Sequence, residues 1–254
     1  MTNIRKIIWK SSNLMMTIVR RRDYKLETKS IGGLTMTISR ICIGAGVFSL
    51  LLGCASTKPI ENVPLVWKPT SETSLGSVSL SDVSGVTFSV QKFIDNRNNK
   101  KLIGTNTESS PHKTVTTSDN VASWCTTQFV DLLKKQGIRV SDSGNVRIEG
   151  DVSDFNVNEG DEYKARVSIR IKAIDSNGVT LWDGVLDGSA SRFGRSYNVD
   201  NYYETLTDAF IRGYRDLISN TSFMSSMKSV SDSSVSKVDS ANSSKKGGKT
   251  RKKK

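Results

Sequence analysis

Three observations predict an α+β fold in which an antiparallel or mixed sheet of about five strands carries two helices on one face, in the order β-α-β-β-β-β-α. Residues 163–173 alternate apolar and polar side chains with the period of a half-buried strand. The tripeptide Ser176-Asn177-Gly178 then favours a hairpin turn into a return strand. Two further segments repeat apolar residues at helical spacing, and this set of elements indicates a sheet covered by helices.

The domain is predicted to begin at Gly85 with a strand in which Val86, Phe88 and Val90 alternate with polar residues. A highly charged turn follows, and a polar loop then extends from Asn96 to Thr117. Loops of this length inside a compact domain are either functional or disordered. We therefore treat this region as a candidate binding loop, with four charged residues at its start: Asp95, Arg97, Lys100 and Lys101.

A first amphipathic helix is predicted to begin at Ser118, whose hydroxyl suits an N-cap, and to end before Gly137, which suits the position after a helix. A short strand should follow at 138–140. A longer one should extend over 146–157 with an irregularity near Gly150.

The return strand of the central hairpin is predicted over 179–191, with a bulge at Asp183-Gly184 that would re-phase its two faces. Asn198 can cap a last helix that extends to about Leu217. The outward side of the central strand carries a basic row that could bind a polyanion. Because Glu149 and Asp151 lie on the neighbouring strand, pairing between strands is the favoured role of this row, which consists of Lys164, Arg166, Arg170 and Lys172.

The net charge of +12 is concentrated at the two ends of the chain. Residues 1–53 and residues 245–254 each carry a net charge of +7, which leaves −2 for residues 54–244. A near-neutral central region gives no support to a nucleic-acid-binding domain, so we expect no nucleic-acid partner.

The N-terminal part of the chain has the layout of a secretory signal, with Arg40 before the apolar run Ile41–Gly53. This run ends in Leu51-Leu52-Gly53-Cys54, which resembles a bacterial lipobox. The resemblance implies that a signal peptidase cuts before Cys54 and that this cysteine is acylated. Residues 1–53 would then be a leader, in which translation could begin at Met36.

Residues 54–84 read as a lipidated, extended tether, because prolines recur among serines and threonines. Leu65, Val66 and Trp67 interrupt the polar pattern, and they could either dock on the domain or stay exposed. Ala55 after the lipidated cysteine resembles the pattern of lipoproteins sorted to the outer membrane. The predicted location is therefore the outer membrane, facing the periplasm.

Residues 221–254 are predicted to be a disordered, serine-rich tail after a domain at 85–220. The basic end of the tail, residues 245–254, could be a solvated segment or could contact an anionic surface.

The sequence shows no catalytic motif, so we expect a protein that is not an enzyme and that needs no cofactor or metal. A serine hydrolase triad could use only His112, the single histidine, which lies in the loop. Of the three cysteines, Cys42 leaves with the leader and Cys54 is acylated. Cys125 would then be a buried, unreactive thiol without a disulfide partner.

Several features together resemble the YajG-type family of bacterial outer-membrane lipoproteins. These are the lipobox, Phe93-x-Asp95-x-Arg97 with Leu102-Ile103-Gly104, Lys135-Gln136-Gly137 at a helix end, Val146-x-Ile148, and the long hairpin before the last helix. The resemblance implies a lipid-anchored α+β domain and supplies no catalytic residues. Two functions fit it: a non-enzymatic accessory that binds an envelope protein, or a binding module for an envelope glycan or lipid.

Overall fold

The computed structural model describes residues 59–71, 73, 75 and 83–232. In these residues nine strands form one mixed sheet, accompanied by three helical segments, which confirms a mixed α+β fold. The expected five strands and two helices understate the number of elements. The bounds are β1 Ile60–Val63, β2 Thr87–Val90, β3 Ile94–Asp95, β4 Leu102–Asn106, β5 Lys113–Thr117, α1 Val121–Lys135, β6 Arg139–Val140, β7 Val146–Glu159, β8 Tyr163–Asp175, β9 Thr180–Arg192, α2 Val199–Ile218 and α3 at 221–232.

Strand β7 is the centre of the sheet. One of its edges pairs antiparallel with β8 over its whole length, and β9 pairs antiparallel with β8. The other edge of β7 pairs in parallel with β2, β3 and β4, which follow one another along it. Beyond these, β5 pairs with β4, β1 with β5, and β6 with β2.

The predicted loop Asn96–Thr117 is largely a hairpin, formed by β4 and β5. The sequence concealed it because both strands are short and rich in threonine and asparagine. One buried apolar residue in each strand, Ile103 and Val115, fixes its inward face.

Helix α1 begins later than predicted. Asn120, rather than Ser118, is the N-cap, and its side chain accepts a hydrogen bond from the Ser123 N–H at 2.8 Å. Helix α2 begins after Asn198, as expected. Trp124 of α1 packs on Phe155 of the sheet and on Phe210 of α2, so both helices lie on the same face. No helix in the described ranges has the length and apolar character needed to cross a membrane.

The domain extends past its predicted C-terminal boundary at residue 220. Residues 221–232 are helical, with Phe223 and Met227 buried. The Phe223 ring lies 5.2 Å from that of Trp182, centroid to centroid. Met224 and Val230 pack partly against the same core, so four apolar residues dock an otherwise polar segment. Residues 233–254, with the basic end, lie outside the described residues.

Part of the segment assigned to the tether also packs on the domain. Residues 60–63 form β1, which extends the sheet beside β5. Three residues of this segment were predicted either to dock on the domain or to stay exposed. Leu65 and Trp67 pack against the core, whereas Val66 is 42% exposed. We call Pro64–Thr70 the strap, because it crosses the helices.

The predicted bulge at Asp183-Gly184 is wrong, because the pairing of β9 with β8 is continuous there. The register shifts instead between Ala173 and Ile174 of β8. Gly184 leaves room for the Trp182 ring, because a Cβ at this position would lie 2.3 Å from a ring atom. In β7 the irregularity lies between Val152 and Asp154, a few residues past the predicted site near Gly150.

The pairing registers place several segments at the same end of the sheet. Asn106 is opposite Glu159, Glu159 is opposite Tyr163, and Tyr163 is opposite Arg192. We call this the proximal end, because the described chain begins there; its segments are 59–60, 107–112, 160–162 and 193–198. The β8–β9 turn at 176–179 lies at the other, distal end. The 14 residues of β7 separate the two ends by about 45 Å.

Candidate functional site

The predicted lipobox, Leu51, Leu52, Gly53 and Cys54, lies outside the described residues. The predicted lipidation of Cys54 therefore stays a prediction from sequence. The candidate binding residues at the start of the predicted loop, by contrast, are all described.

Asp95 and Arg97 form a buried ion pair, each with a side chain only 7% exposed. The Arg97 guanidinium donates to both carboxylate oxygens of Asp95, at 3.0 and 2.9 Å. Its other three N–H groups donate to backbone carbonyls, those of Lys100, Leu102 and Phe155. All five donors of this side chain are thus used within the domain.

The Asp95–Arg97 pair joins the turn at 96–101 to β7. Burial alone would raise the pKa of Asp95, but the hydrogen bonds and charge of Arg97 outweigh it and lower that pKa. The structure thus corrects the expectation of an open charged loop at these two residues. Lys100 and Lys101 are exposed on the turn, and they remain candidates for contact with a partner.

The strap lies over the helices and is held by polar contacts to α2 and to the residues before α1. Its N–H groups at Leu65, Lys68 and Thr70 donate to side-chain oxygens of Asp119, Thr207 and Asp208, at 2.7, 3.1 and 3.0 Å. Its aromatic residue, Trp67, packs with ring centroids 5.7 Å from Trp124 and 6.2 Å from Phe210.

Glu159 is a fully buried carboxylate that fixes the proximal end. It accepts hydrogen bonds from the Tyr202 hydroxyl and the Tyr197 N–H. The hydroxyls of Tyr163 and Ser196 also lie within hydrogen-bond distance of it, and each shares its single proton with a second acceptor, the Arg195 carbonyl and Glu108 respectively. Burial would raise its pKa, but these donors outweigh burial, so the pKa is lowered. The carboxylate therefore ties the 193–198 loop and α2 to the end of β7.

The outer face of the sheet carries the predicted basic row, and its arginines are paired. Arg166 donates to Asp187 at 3.1 and 3.2 Å, and Arg170 donates to Asp183 at 2.8 Å through two nitrogens. The partners of the two arginines, Asp187 and Asp183, lie on β9. The prediction of Glu149 and Asp151 on β7 as their partners is therefore wrong. These pairs are exposed to solvent.

Two cavities border the described segment 59–71. One, of about 400 Å³, is mostly polar and lies between the strap, the end of β9 and α2; its lining includes Thr70, Ser71, Arg192, Phe193, Asp208 and Arg212. The other, of about 540 Å³, lies at the proximal end, where its lining includes Pro59, Ile60, Val63, Arg195, Tyr197 and Val199.

The remaining reactive groups are placed as follows. Cys125 is fully buried, and burial raises the pKa of its thiol. His112 is exposed at the tip of the β4–β5 hairpin. Within the described residues, no three His, Cys, Asp or Glu side chains are grouped so that they could hold a metal ion.

Neither a family model nor a curated protein matches the chain. Protein XCC0632 from Xanthomonas campestris, of the DUF330 family, is 13% identical in an alignment over 67% of this chain and 96% of that chain, with a TM-score of 0.45. Lipoprotein GNA1162 from Neisseria meningitidis is 11% identical over 45% of this chain and 89% of its own, with a TM-score of 0.30. The PelC dodecamer from Paraburkholderia phytofirmans is 13% identical over 55% and 94%, with a TM-score of 0.30. The likeness to the YajG-type family thus stays a resemblance in sequence.

Sequence reasoning missed Glu159 and Phe193 as features of the site, and it left open whether the strap docks on the domain. For Glu159 there was a signal: it occupies an inward position in the alternating pattern of β7, where a carboxylate needs partners. The signal for Phe193 was weaker: it is an aromatic residue just beyond the end of a strand.

Proposed function

We propose that this protein is a lipid-anchored envelope lipoprotein, attached to the outer membrane and facing the periplasm, that acts as a non-enzymatic accessory by binding an envelope protein. The observation that carries the anchor is the sequence Leu51-Leu52-Gly53-Cys54 at the end of a short apolar run. Each acyl methylene buried in the bilayer contributes about 0.8 kcal/mol, and more than one chain gives stable attachment.

The surface that we propose for the partner is the outer face of the sheet. One row of paired residues crosses it from β3 to β9: Ile94, Asp151, Arg170 and Val185. Its two apolar residues are exposed, Ile94 at 59% and Val185 at 54%. Apolar side chains beside paired charges suit a protein interface, in which apolar contacts are surrounded by polar ones.

The packing under the helices supports a protein partner over a ligand held inside the domain. The aromatic residues that could line an internal site contact one another instead. Trp124 packs on Phe155, Phe129 packs on Phe93 with centroids 5.5 Å apart, and Trp182 packs on Phe223. These side chains fill the space between the helices and the sheet, so we expect a partner to bind at the surface of the domain.

The anchor is tested by comparing the full chain with Cys54→Ser in its native host. We expect the wild type to be a triacylated or diacylated species that starts at Cys54, by mass spectrometry of the N-terminal peptide, and to fractionate with the outer membrane. The variant should keep its leader and leave that fraction. A wild-type protein that retains residues 1–53 would overturn the anchor.

The partner surface is tested with a photo-crosslinking residue at Val185 in intact cells. The matched control is the same probe at Asp216, an exposed α2 position with a side chain 66% accessible. We expect one discrete crosslinked protein at 185, none at 216, and loss of the product in the Cys54→Ser background. Equal crosslinking at both positions would contradict a specific outer-face interface.

The alternative function, a module that binds an envelope glycan or lipid, is favoured by the polar cavity of about 400 Å³, because Arg192 and Arg212 could bind an anionic group there. Titration of purified wall fragments by calorimetry tests it. Saturable binding that Arg212→Ala abolishes, together with no discrete crosslinked protein at 185, would replace the accessory function by this one.

A further inference from the structure

We propose that the proximal end of the domain lies against the lipid surface, with the Phe193 side chain inserted among the headgroups. This inference rests on the proposed acylation of Cys54. It adds an orientation and a second membrane contact to the anchor.

The first argument is the length of chain between the anchor and the ordered domain. Five residue steps separate Cys54 from Pro59, and Pro59 is the first described residue. A chain spans at most about 3.3–3.6 Å per residue, so these steps reach about 17 Å at full extension. The distal end is about 45 Å away from the proximal end. A domain held so closely at one end presents that end to the bilayer.

The second argument is the exposure of Phe193. Phe193 is 77% exposed, more than any other large apolar residue that the structure describes. It lies in the 193–198 loop, at the end that the tether holds near the membrane. Phe is among the side chains that interfacial segments bury at the boundary between headgroups and acyl chains.

The third argument is that the loop holding Phe193 is fixed. The Arg195 carbonyl accepts hydrogen bonds from the Tyr163 hydroxyl at 2.7 Å and from the Asn201 amide at 3.0 Å. Glu159 binds the N–H of Tyr197, and the Tyr197 hydroxyl accepts from the Ile60 N–H at 2.8 Å. The loop is thus joined to both the sheet and the start of β1, and it still keeps Phe193 in solvent. An exposed ring on a fixed loop suits a contact surface.

The charges at this end decide which lipid the surface fits. Carboxylates outnumber cations around this end, so no excess of positive charge draws it to anionic lipid: Glu61, Glu108, Glu159, Asp161 and Glu162 stand against Lys113, Lys164, Arg192 and Arg195. Several are already engaged, as in the pair of Lys164 with Glu162 at 3.1 Å and the pair of Arg192 with Glu204. The contact is therefore apolar in origin, and it should form on zwitterionic lipid and persist in high salt.

The test uses the acylated full-length protein with an environment-sensitive fluorophore on Phe193→Cys. The matched control is Val179→Cys, because Val179 is also exposed, at 58%, but lies at the distal end. Cys125 is buried and will not be labelled, since its thiol has no access to the reagent. Both proteins are placed in phosphatidylcholine vesicles with and without brominated acyl chains, which quench only a fluorophore close to them.

We expect a blue shift and loss of fluorescence in brominated vesicles for the probe at 193, unchanged in high salt, and neither effect at 179. Flotation and the mass of the N-terminal peptide are measured on the same samples. Acylated protein that floats with the vesicles while both probes stay unquenched would overturn the contact and leave the anchor intact. Quenching at 193 that requires anionic lipid and vanishes in salt would also overturn it. Protein without acyl chains would overturn the anchor itself.

Discussion

Replacing Arg97 by methionine should destabilise the domain strongly. The change removes five hydrogen bonds and leaves the buried Asp95 carboxylate and three backbone carbonyls without these donors. Removing one partner of a buried ion pair costs about 3–5 kcal/mol. With a urea dependence of about 2 kcal/mol per molar, the midpoint should fall by roughly 2 M at neutral pH. Adding Asp95→Leu to the same protein should restore part of the loss, because no uncompensated charge then remains.

The pH dependence gives a second measurement on the same variant. Because the folded-state pKa of Asp95 is lowered, its contribution to stability is present above the usual value of 3.8 and is lost as the pH falls through the folded value. Wild-type stability should therefore decline in this acidic range, and Arg97→Met should lack this part of the decline. A loss below about 1 kcal/mol, together with loss of the partner crosslink, would make Arg97 a binding residue and refute the structural role.

Three further predictions concern buried groups. Glu159→Gln should lower the free energy of unfolding by about 2–3 kcal/mol, because an amide cannot accept all the hydrogen bonds of the carboxylate. Since the pKa of Glu159 is lowered, the wild type should lose this contribution as the pH falls below about 4.5, whereas urea titrations of the variant should lack that change. Cys125 should not react with a disulfide reagent in the native protein and should react fully in urea, because burial raises its pKa and blocks access; rapid native reaction would contradict its buried position. Tyr214→Phe should leave stability unchanged or raise it by about 1 kcal/mol, because among the described residues the buried hydroxyl has no hydrogen-bond partner; a clear loss in thermal unfolding would reveal one.

The long elements of this fold could be predicted because each has an unambiguous period. The alternation of Tyr163, Ala165 and Val167 with polar residues identifies β8, and the apolar face of Val199–Ile218 identifies α2. Of the short strands, β2 and β6 were predicted, but β1, β3, β4 and β5 could not be found in this way. Two to five residues, as in β3 and β5, form a strand because β7 or β4 offers them a partner, and that partner is distant in sequence.

The candidate site shows the same division between local and distant information. Asp95 and Arg97 were predicted to be exposed charges in a turn. Arg97 can be buried because the carbonyls of Leu102 and Phe155 accept its N–H groups, and only the tertiary fold brings the Phe155 carbonyl near. Sequence pattern marks a charged residue as unusual. It does not say whether the charge faces a partner or an internal acceptor, since that depends on which elements pack around it.

The strap lies between the proposed anchor at Cys54 and the rest of the domain, and releasing it should change the reach of the domain. Residues 60–70, which are β1 and the strap, would add about 36–40 Å of extended chain to the 17 Å between Cys54 and Pro59. Trp67→Ala together with Asp208→Ala removes the ring that packs on Trp124 and the carboxylate that binds Thr70. We expect limited proteolysis to cut this variant within residues 60–70 and to leave residues 83–232 intact. Lys135→Ala is the matched control, because it removes only the cation 5.9 Å from the Trp67 ring centroid. Cleavage spread over the whole domain would contradict a strap that can leave without unfolding the sheet, and would make residues 60–70 an integral part of the core.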